Sequence, residues 1–546
     1  MLRLNELKLP LDHPPEALRA AVLAKLAIPP DDLLGLSIAR RGYDARRRSA
    51  INLVYAVDIE VRDEAAVLAA NPGLRLTPDT TYRFPTRVEP PARRPVIIGT
   101  GPCGLLAALI LAEMGFRPLI LERGKLVRER TRDTWGLWRR GVLNPESNVQ
   151  FGEGGAGTFS DGKLYSGIKD PRHLTRKLLT EFVAAGAPEE ILTSSKPHIG
   201  TFRLVTVVEG IRAKVEALGG EYRFSARVED IVLDDDRGVR GLTLANGDQI
   251  DADHVILAIG HSARDTFAML HRRGVHIEAK PFSIGARIEH PQSLIDRARF
   301  GALAGHPVLG PADYKLVHHA SNGRSVYSFC MCPGGRVVAA TSEAGCVATN
   351  GMSQYSRAEF NANAGIVVAI TPADYPGDAL AGIAFQQHWE RAAYLAGGST
   401  YAAPAQRAGD LLAGRGSVAL GEVEPSYKPG VHPADLAACL PGFAVEAIRE
   451  ALSRFARDIP GFAMPDAVLT GVETRTSSPI RIVRGADGHS LNTKGLFPAG
   501  EGAGYAGGIM SAGVDGIRVA EAVACSLVGM PPVERMTRGE GAVAYG

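Results

Sequence analysis

A glycine-rich loop carries the strongest chemical signal in the sequence. Residues 99–104 read G-T-G-P-C-G, and Glu122 follows 18 residues after Gly104. Glycines at the first, third and sixth positions permit a tight turn, a close approach of the backbone to a pyrophosphate, and close packing of a helix on a strand. An acidic side chain about 20 residues further on accepts hydrogen bonds from a ribose. The spacing therefore predicts a dinucleotide site.

The segments around this loop are those that such a site requires. Val96–Ile98 is a short apolar run typical of a buried parallel strand. Leu105–Met114 favours a helix that Gly115 ends, and Arg117–Leu121 predicts a second strand with Glu122 at its end. The N-terminus of the helix offers N–H groups and partial positive charge to phosphates. A lone glycine motif is weak evidence, but this one has its complete βαβ context.

Three further segments favour FAD over a nicotinamide nucleotide as the ligand of this site. Residues 253–260 form an apolar strand that ends in A-I-G, as is common in flavoproteins. Residues 495–502 end in G-E-G, where the acid of a late flavin motif would bind a ribityl hydroxyl, although Asp is commoner there than Glu501. Gly507 and Gly508 then open a predicted helix whose N–H groups would face the flavin. Arg123 could suit a 2′-phosphate, but the acid before it favours FAD or NAD.

A second glycine-rich segment, residues 148–165, contains four glycines within six residues, followed by Thr, Ser and Asp. We expect a flexible loop rich in backbone donors that runs along the pyrophosphate or the flavin ring. Lys163 and Tyr165 are then candidates near the reacting centre. A plain glycine-rich connector is the alternative.

Catalytic residues are harder to assign than cofactor residues. Arg475 lies among an acid and hydroxyl side chains in residues 473–479, just before the last predicted strand of the cofactor domain. It could hold a carboxylate substrate or stabilise a flavin anion; a structural ion pair is the alternative. Cys330 and Cys332 could be redox-active, but small buried residues on a strand are the favoured interpretation.

The composition restricts the class of protein. The chain has 45% hydrophobic and 22% charged residues, as globular proteins do, and its net charge of +2 does not point to nucleic acid or membrane. The N-terminus lacks a signal-peptide pattern, no apolar run of about 18 residues occurs, and six cysteines do not suggest a disulfide framework. We therefore expect a cytoplasmic protein with a small-molecule substrate and no metal site. A basic stretch is predicted to be a solvated loop, with an anionic partner as the alternative: Arg40, Arg41, Arg46, Arg47 and Arg48.

The predicted fold class is α/β: a Rossmann-like FAD-binding domain of the three-layer ββα type, split by an inserted α+β substrate domain. Residues 1–88 form a small N-terminal α/β domain, with helices at 15–28 and 63–70 and strands at 53–61 and 82–84. A proline- and arginine-rich linker, 89–95, follows it. The FAD domain then occupies 95–280 and 469–546, and the insertion occupies 281–468.

Four stretches resemble a known family: residues 148–165, 329–335, 349–363 and 500–508. This family consists of bacterial and plastid proteins called NAD(P)/FAD-dependent oxidoreductases, or uncharacterised FAD-dependent dehydrogenases. The resemblance covers nearly the whole chain and implies FAD and redox chemistry, but no substrate. A looser similarity connects it to flavoproteins with a glutathione-reductase-like FAD domain.

The leading hypothesis is an FAD-dependent dehydrogenase or reductase that transfers a hydride at flavin N5. The sequence shows no second complete dinucleotide motif, so NADH or NADPH would be a transient reductant if it is used at all. A flavin monooxygenase is one alternative, and an FAD-binding protein with a non-catalytic role in RNA modification or assembly is another. The candidate catalytic residues are Arg475, Lys163 and Tyr165. The predicted cofactor-binding residues are Gly99, Gly101, Pro102, Cys103, Gly104, Glu122, Arg123, Gly154, Gly155, Gly157, Thr158, Gly260, Gly500, Glu501, Gly507, Gly508 and Ile509.

Overall fold

The computed structural model describes residues 1–89 and 94–533, so residues 90–93 of the predicted linker lie outside the described part. The strands within these ranges are β1 (Leu2–Pro10), β2 (Leu33–Asp44), β3 (Asn52–Val61), β4 (Arg75–Leu76), β5 (Val96–Ile98), β6 (Leu119–Leu121), β7 (Glu221–Arg223), β8 (Val228–Leu233), β9 (Val239–Leu244), β10 (Gln249–Asp251), β11 (Val255–Leu257), β12 (Ile277–Ala279), β13 (Phe282–Pro291), β14 (Val317–His319), β15 (Ser325–Cys332), β16 (Arg336–Ala339), β17 (Thr349–Met352), β18 (Asn361–Ile370), β19 (Ala403–Arg407), β20 (Val431–Pro433), β21 (Val468–Glu473), β22 (Ile480–Ile482) and β23 (Leu496–Pro498). The α-helices are α1 (Ala17–Leu26), α2 (Glu64–Ala70), α3 (Pro102–Glu113), α4 (Val127–Arg140), α5 (Leu174–Ala184), α6 (Thr201–Ala217), α7 (Arg264–Arg272), α8 (Gln292–Phe300), α9 (Ala381–Ala396), α10 (Ala408–Leu412), α11 (Gly442–Asp458) and α12 (Ile509–Leu527).

A five-stranded parallel sheet, in the order β23-β11-β5-β6-β7, forms the framework of the site. Its central strands are three apolar residues long and fully buried, as expected of parallel strands covered on both faces. Side chains alternate between the two faces along each strand. Ile97 and Ile120 pack with α3, α5, α6 and α12 on one face, while Val96 and Leu119 pack with β8, β9 and β10 on the other.

A seven-stranded sheet, in the order β14-β15-β18-β13-β21-β19-β20, lies between β12 and β22 in the chain. Its neighbouring strands are antiparallel except for β19 and β20. The strands β13 and β18 are ten residues each and almost entirely buried, because α8 and α11 pack against this sheet. This sheet brings β15 and the end of β21 to the cavity described below.

The N-terminal unit is a four-stranded antiparallel sheet, in the order β2-β3-β1-β4, with α1 and α2. Strand β3 carries the alternating apolar residues that predicted it, and these are buried. The unit packs on the rest of the molecule, and the rings of Tyr43 and Phe300 meet edge to face with centroids 5.7 Å apart. Arg40 and Arg41 lie on β2, so the prediction of a loop across the whole basic stretch is wrong for these two residues.

Some predicted elements differ from the observed ones. Residues 82–84 do not form a strand: the rings of Tyr82 and Phe84 meet edge to face, and the Tyr82 hydroxyl donates to Glu521 of α12 over 2.9 Å. The two aromatic side chains are held by these contacts, and the backbone of residues 82–84 pairs with no strand in the described ranges. Helix α3 begins at Pro102 rather than Leu105, since proline is well suited to the first helical position. The mixed α/β class is confirmed.

Across the described ranges, no helix has both the length and the apolar character required to span a bilayer.

Candidate functional site

A cavity of about 380 Å³ opens where the parallel strands end. It is bordered by Ile98 and Leu121, the last residues of β5 and β6, and by Ala258 and Gly500, which follow β11 and β23. Ligands of open α/β sheets bind at this carboxyl edge, because the loops there diverge and the helix N-termini point towards it. The architecture therefore places a binding cavity where the glycine loop lies.

The glycine loop turns directly from β5 into α3. Gly101 is the residue before the helix, so the N–H groups of its first turn lack intrahelical partners and face the loop side. Gly104 cannot be replaced without movement, because a Cβ atom there would lie 2.0 Å from the carbonyl oxygen of Gly99. This close packing of helix on strand is the role that the motif predicts for its third glycine.

Glu122 lies at the end of β6 and is 5% exposed. One carboxylate oxygen accepts the Thr100 N–H over 3.0 Å and the Thr100 hydroxyl over 2.6 Å, while the other accepts the N–H groups of Gly124 (2.8 Å) and Gly152 (3.0 Å). Protein donors thus already engage both oxygens, and the side chain ties the glycine loop to β6 and to residue 152. A ribose contact of Glu122 stays a prediction.

Arg123 lies on the same wall of the cavity but is held by protein partners. Its guanidinium stacks 4.1 Å from the centroid of Phe151 and pairs with Glu146 and Asp265, each over 2.9 Å. These contacts fix the side chain against the segment that begins at residue 148.

Residues 148–165 form a mostly buried wall of the cavity. Its first residues are held by Arg130 of α4, which is fully buried and donates to the backbone carbonyl groups of Asn148 (2.7 Å), Val149 (2.6 Å) and Glu153 (2.8 Å). A charged donor shared among carbonyl groups holds the irregular first part of this segment, residues 148–153.

This segment also touches the glycine loop. A Cβ atom on Gly155 would lie 2.7 Å from the Cα atom of Gly101, so the two loops approach each other through glycines. Gly155 and Gly157 border the cavity. Three of the predicted cofactor-binding residues lie behind its surface and do not border it: Gly104, Gly154 and Thr158.

The C-terminal part of the chain closes the cavity from the other side. Gly500 and Glu501 follow β23, and Gly508 immediately precedes the 19-residue helix α12. A Cβ atom on Gly507 or Gly508 would meet no atom within 4 Å, so both present bare backbone to open space. The N-terminus of a second long helix therefore borders the same cavity as the N-terminus of α3.

Glu501 is mostly buried, and its charged neighbours, Lys280 and His261, form no close hydrogen bond with it. Burial raises its pKa to about 7, even though Lys280 nearby favours the charged form. His261 Nδ1 lies 3.8 Å from the Glu501 carboxylate, and burial lowers the pKa of His261 to about 3, so this ring stays neutral. His261 Nε2 is buried and has no hydrogen-bond partner within the described ranges. Glu501 is thus able to take up or release a proton near neutral pH.

Lys163 and Tyr165 both border the cavity. The Lys163 ammonium lies 3.0 Å from the Asp161 carboxylate and donates to the carbonyl oxygen of Met331. Burial alone would lower the pKa of Lys163, but Asp161 holds it above its ordinary value, so the side chain is a cation. Tyr165 is 39% exposed, and burial raises the pKa of its hydroxyl, which stays protonated.

Arg475 also borders the cavity, but its guanidinium is engaged. It pairs with the buried carboxylate of Glu390 over 2.9 Å and donates to the hydroxyls of Ser342 (2.7 Å) and Ser262 (3.2 Å). These contacts favour the structural ion pair that the sequence left as an alternative over a free carboxylate-binding group.

Sequence reasoning missed several residues that the fold brings to this cavity. His261 follows a predicted residue, Gly260, directly, and that adjacency was a usable signal. Asn350 and Cys330 come from β17 and β15, whose approach to the parallel sheet depends on the long-range packing of the seven-stranded sheet. Asp161 is joined to Arg357, 196 residues later, by two hydrogen bonds of 2.9 and 2.6 Å.

Comparisons with known proteins agree with a flavoprotein site. Residues 281–476 match the model of the FAD-dependent protein, C-terminal domain-like family, and residues 180–286 match flavin containing amine oxidoreductase. Residues 1–60 match a domain of unknown function (DUF8436). An uncharacterized protein of Clostridium beijerinckii is 45% identical over 525 residues, which are 95% of this chain and 98% of that protein.

Solved structures show weaker similarity. The halogenase PltM (L111Y mutant, in complex with FAD) has a TM-score of 0.38 at 13% identity and covers 82% of this chain and 72% of its own. L-proline dehydrogenase from P. horikoshii has a TM-score of 0.34 at 14% identity, over 83% and 99% of the two chains. Glycine oxidase from Bacillus cereus has a TM-score of 0.36 at 11% identity, over 80% and 95%.

Proposed function

The chain belongs to the same family as the Clostridium beijerinckii protein, and its own domain matches are those of an FAD-dependent oxidoreductase. We propose that it transfers a hydride between flavin N5 and a small-molecule substrate. One observation carries this proposal. A single cavity is lined by two segments that lie almost 400 residues apart in the chain. One is the glycine loop with Glu122, and the other is Glu501 with residues 507–509. Together they supply the two halves expected of an FAD site.

The chemical character of the cavity fits FAD. The helix N-termini at Gly101 and Gly508 suit the pyrophosphate and the electron-rich end of a flavin, and the bare backbone of Gly507 leaves room for a flat ring. Glu122 and Arg123 would border the adenosine of a bound FAD, and Gly101–Cys103 with Gly155 and Gly157 would hold its pyrophosphate. Bound FAD supplies the hydride chemistry at N5, and the chain orients the substrate and handles protons.

The same interpretation explains the order of the elements. We propose that residues 95–280 and 469–533 are the two parts of one Rossmann-like FAD domain, and that 281–468 is a substrate domain inserted between them. The predicted closing part extends to residue 546, and its last 13 residues lie outside the described ranges. The insertion contributes Phe329, Cys330 and Asn350 to the cavity wall, where a substrate would meet the flavin.

Four residues of the chain have roles in this proposal. Glu501 holds or releases the proton that accompanies hydride transfer, since its pKa is raised to about 7. Lys163 supplies a fixed positive charge to the substrate side, and Tyr165 supplies a neutral hydroxyl. Arg475 positions the wall through Glu390 and does not itself bind the substrate.

We propose NADH or NADPH as a transient reductant that enters the substrate side of the cavity. The experiment is anaerobic mixing of the FAD-loaded protein with each nucleotide while the flavin absorbance is followed. Bleaching by one nucleotide, with slow reoxidation when air is admitted, is the expected result. If neither nucleotide bleaches a flavin that dithionite does bleach, the nicotinamide proposal fails and a substrate-reduced dehydrogenase remains. Fast reoxidation coupled to substrate hydroxylation would replace the dehydrogenase by a monooxygenase.

A further inference from the structure

Two cysteines of β15 lie at and just behind the wall of the cavity. Cys330 is half-buried and borders the cavity, while Cys332 behind it is fully buried. The Cys332 thiol donates to the carbonyl oxygen of Cys330 over 3.3 Å, so its sulfur lies against the residue that borders the cavity. A pair of core residues would need no access to the cavity, so the exposure of Cys330 requires another explanation.

The backbone of β15 is irregular at these two cysteines. Pairing with β18 is regular up to Phe329, which lies opposite Gly365, and it then shifts so that Cys332 lies opposite Asn363. Cys330 lies in this bulge with a φ angle of 44°, in the left-handed region that a cysteine rarely adopts. In a regular strand the side chains at i and i+2 stand side by side without meeting. The bulge changes their direction, as bulges next to active sites do.

Two cations face the pair. Lys163 donates to the carbonyl oxygen of Met331, the residue between the two cysteines, and Arg287 Nη1 donates to that of Cys330 over 3.2 Å. Glu473 opposes them, but it is itself paired with Arg287 over 2.8 Å. The Cys332 thiol, and then Lys163 and Arg287, lower the pKa of Cys330 against the effect of burial.

The two thiols therefore differ in character. The neighbouring Cys330 thiol, together with burial, raises the pKa of Cys332, so that Cys332 is the protonated member of the pair. An accessible thiolate next to a buried resolving thiol is the arrangement found in reactive cysteine pairs.

We propose that Cys330 and Cys332 are a redox pair that exchanges two electrons with the flavin. This inference rests on the proposed FAD site, because Cys330 borders the same cavity as Glu501 and Gly507. In the forward direction the two thiols lose two protons and two electrons as the Sγ–Sγ bond forms, and FAD gains both to become FADH₂. The reverse direction returns the disulfide to two thiols and FADH₂ to FAD.

Counting electrons tests this inference directly. The FAD-loaded protein is oxidised with diamide, desalted, and titrated with dithionite without air until the flavin is bleached and no further reductant is consumed. A flavin alone accepts one electron pair, and a thiol–disulfide couple accepts a second. We expect the wild-type protein to consume about twice as much dithionite per flavin as Cys330→Ser or Cys332→Ser.

Differential alkylation with mass spectrometry of the peptide that contains both cysteines gives the second readout. We expect a disulfide after oxidation and two alkylated thiols after the titration. Cys525→Ala is the matched control: it removes another buried thiol, on α12, and should keep the doubled consumption. If the oxidised wild type consumes a single electron pair per flavin, or keeps both thiols free after diamide, the redox pair is refuted while FAD binding stands. A protein that takes up no FAD contradicts the proposed function itself, and the transfer step with it.

Discussion

At the scale of single residues, the molecule separates groups that hold structure from groups that are free to do chemistry. Arg475, Arg123 and Glu122 border the cavity, yet protein partners already engage each of them. Glu501 and Cys330 are the contrasting cases, because each brings a titratable group with a shifted pKa to the cavity wall. The residues that sequence spacing made most visible are thus largely those that shape the cavity.

Glu501 gives a prediction about pH and stability. Its pKa is raised from 4.5 to about 7 in the folded FAD-free protein, so between these values the folded state holds a proton that the unfolded state has lost. The free energy of unfolding therefore falls as pH rises through this window, by roughly 1–3 kcal/mol. Glu501→Gln should remove this dependence. Urea unfolding at a series of pH values measures the free energy of unfolding of both proteins. If this free energy depends on pH in the same way in the wild type and in Glu501→Gln, Glu501 is not the titrating group.

At the scale of elements, the cavity depends on how irregular segments are held. Helix α4 holds residues 148–165 through one buried arginine, and α3 meets β5 through one glycine. In both places the geometry depends on contacts between segments that are neighbours in space. Each can be tested with a substitution and a control on a similar element.

Arg130→Met should destabilise the protein and weaken FAD binding together. The substitution leaves buried carbonyl groups at Asn148, Val149 and Glu153 without a donor, which costs about 2–4 kcal/mol. Arg132→Met, at an exposed position of the same helix, is the matched control and should change neither property by more than about 0.5 kcal/mol. Thermal melts with and without FAD report both effects. Equal behaviour of the two variants would show that Arg130 does not hold the loop.

Gly104→Ala should weaken FAD binding by about tenfold or more, since the added Cβ would lie 2.0 Å from the Gly99 carbonyl oxygen and must push α3 off the strand. Gly442→Ala serves as control, because a Cβ there meets no atom within 4 Å and the residue begins α11, outside the cavity lining. Fluorescence titration with FAD compares the two variants. Unchanged affinity in Gly104→Ala would argue against a role for the loop in binding.

At the scale of the whole molecule, local patterns predicted four of the five strands of the parallel sheet, all but β7, and long-range packing determines the rest of the site. The strands at 96–98 and 496–498 and the helix after the glycine loop could be identified from apolar runs and glycines. The register of β15 on β18 could not, because a bulge that reorients Cys330 leaves no periodic signal. The ion pair between Arg475 and Glu390 could not be predicted either, because no local pattern connects residues 85 positions apart.

The central claim is that one cavity, built from both ends of the chain, binds FAD. The most direct measurement is the flavin content of the purified protein, by absorbance after heat release, followed by reconstitution with FAD and titration of Gly104→Ala beside it. We expect one FAD per chain in the wild type, with a two-band flavin spectrum, and weakened binding in the variant. A colourless wild-type protein that cannot be reconstituted with FAD would contradict it.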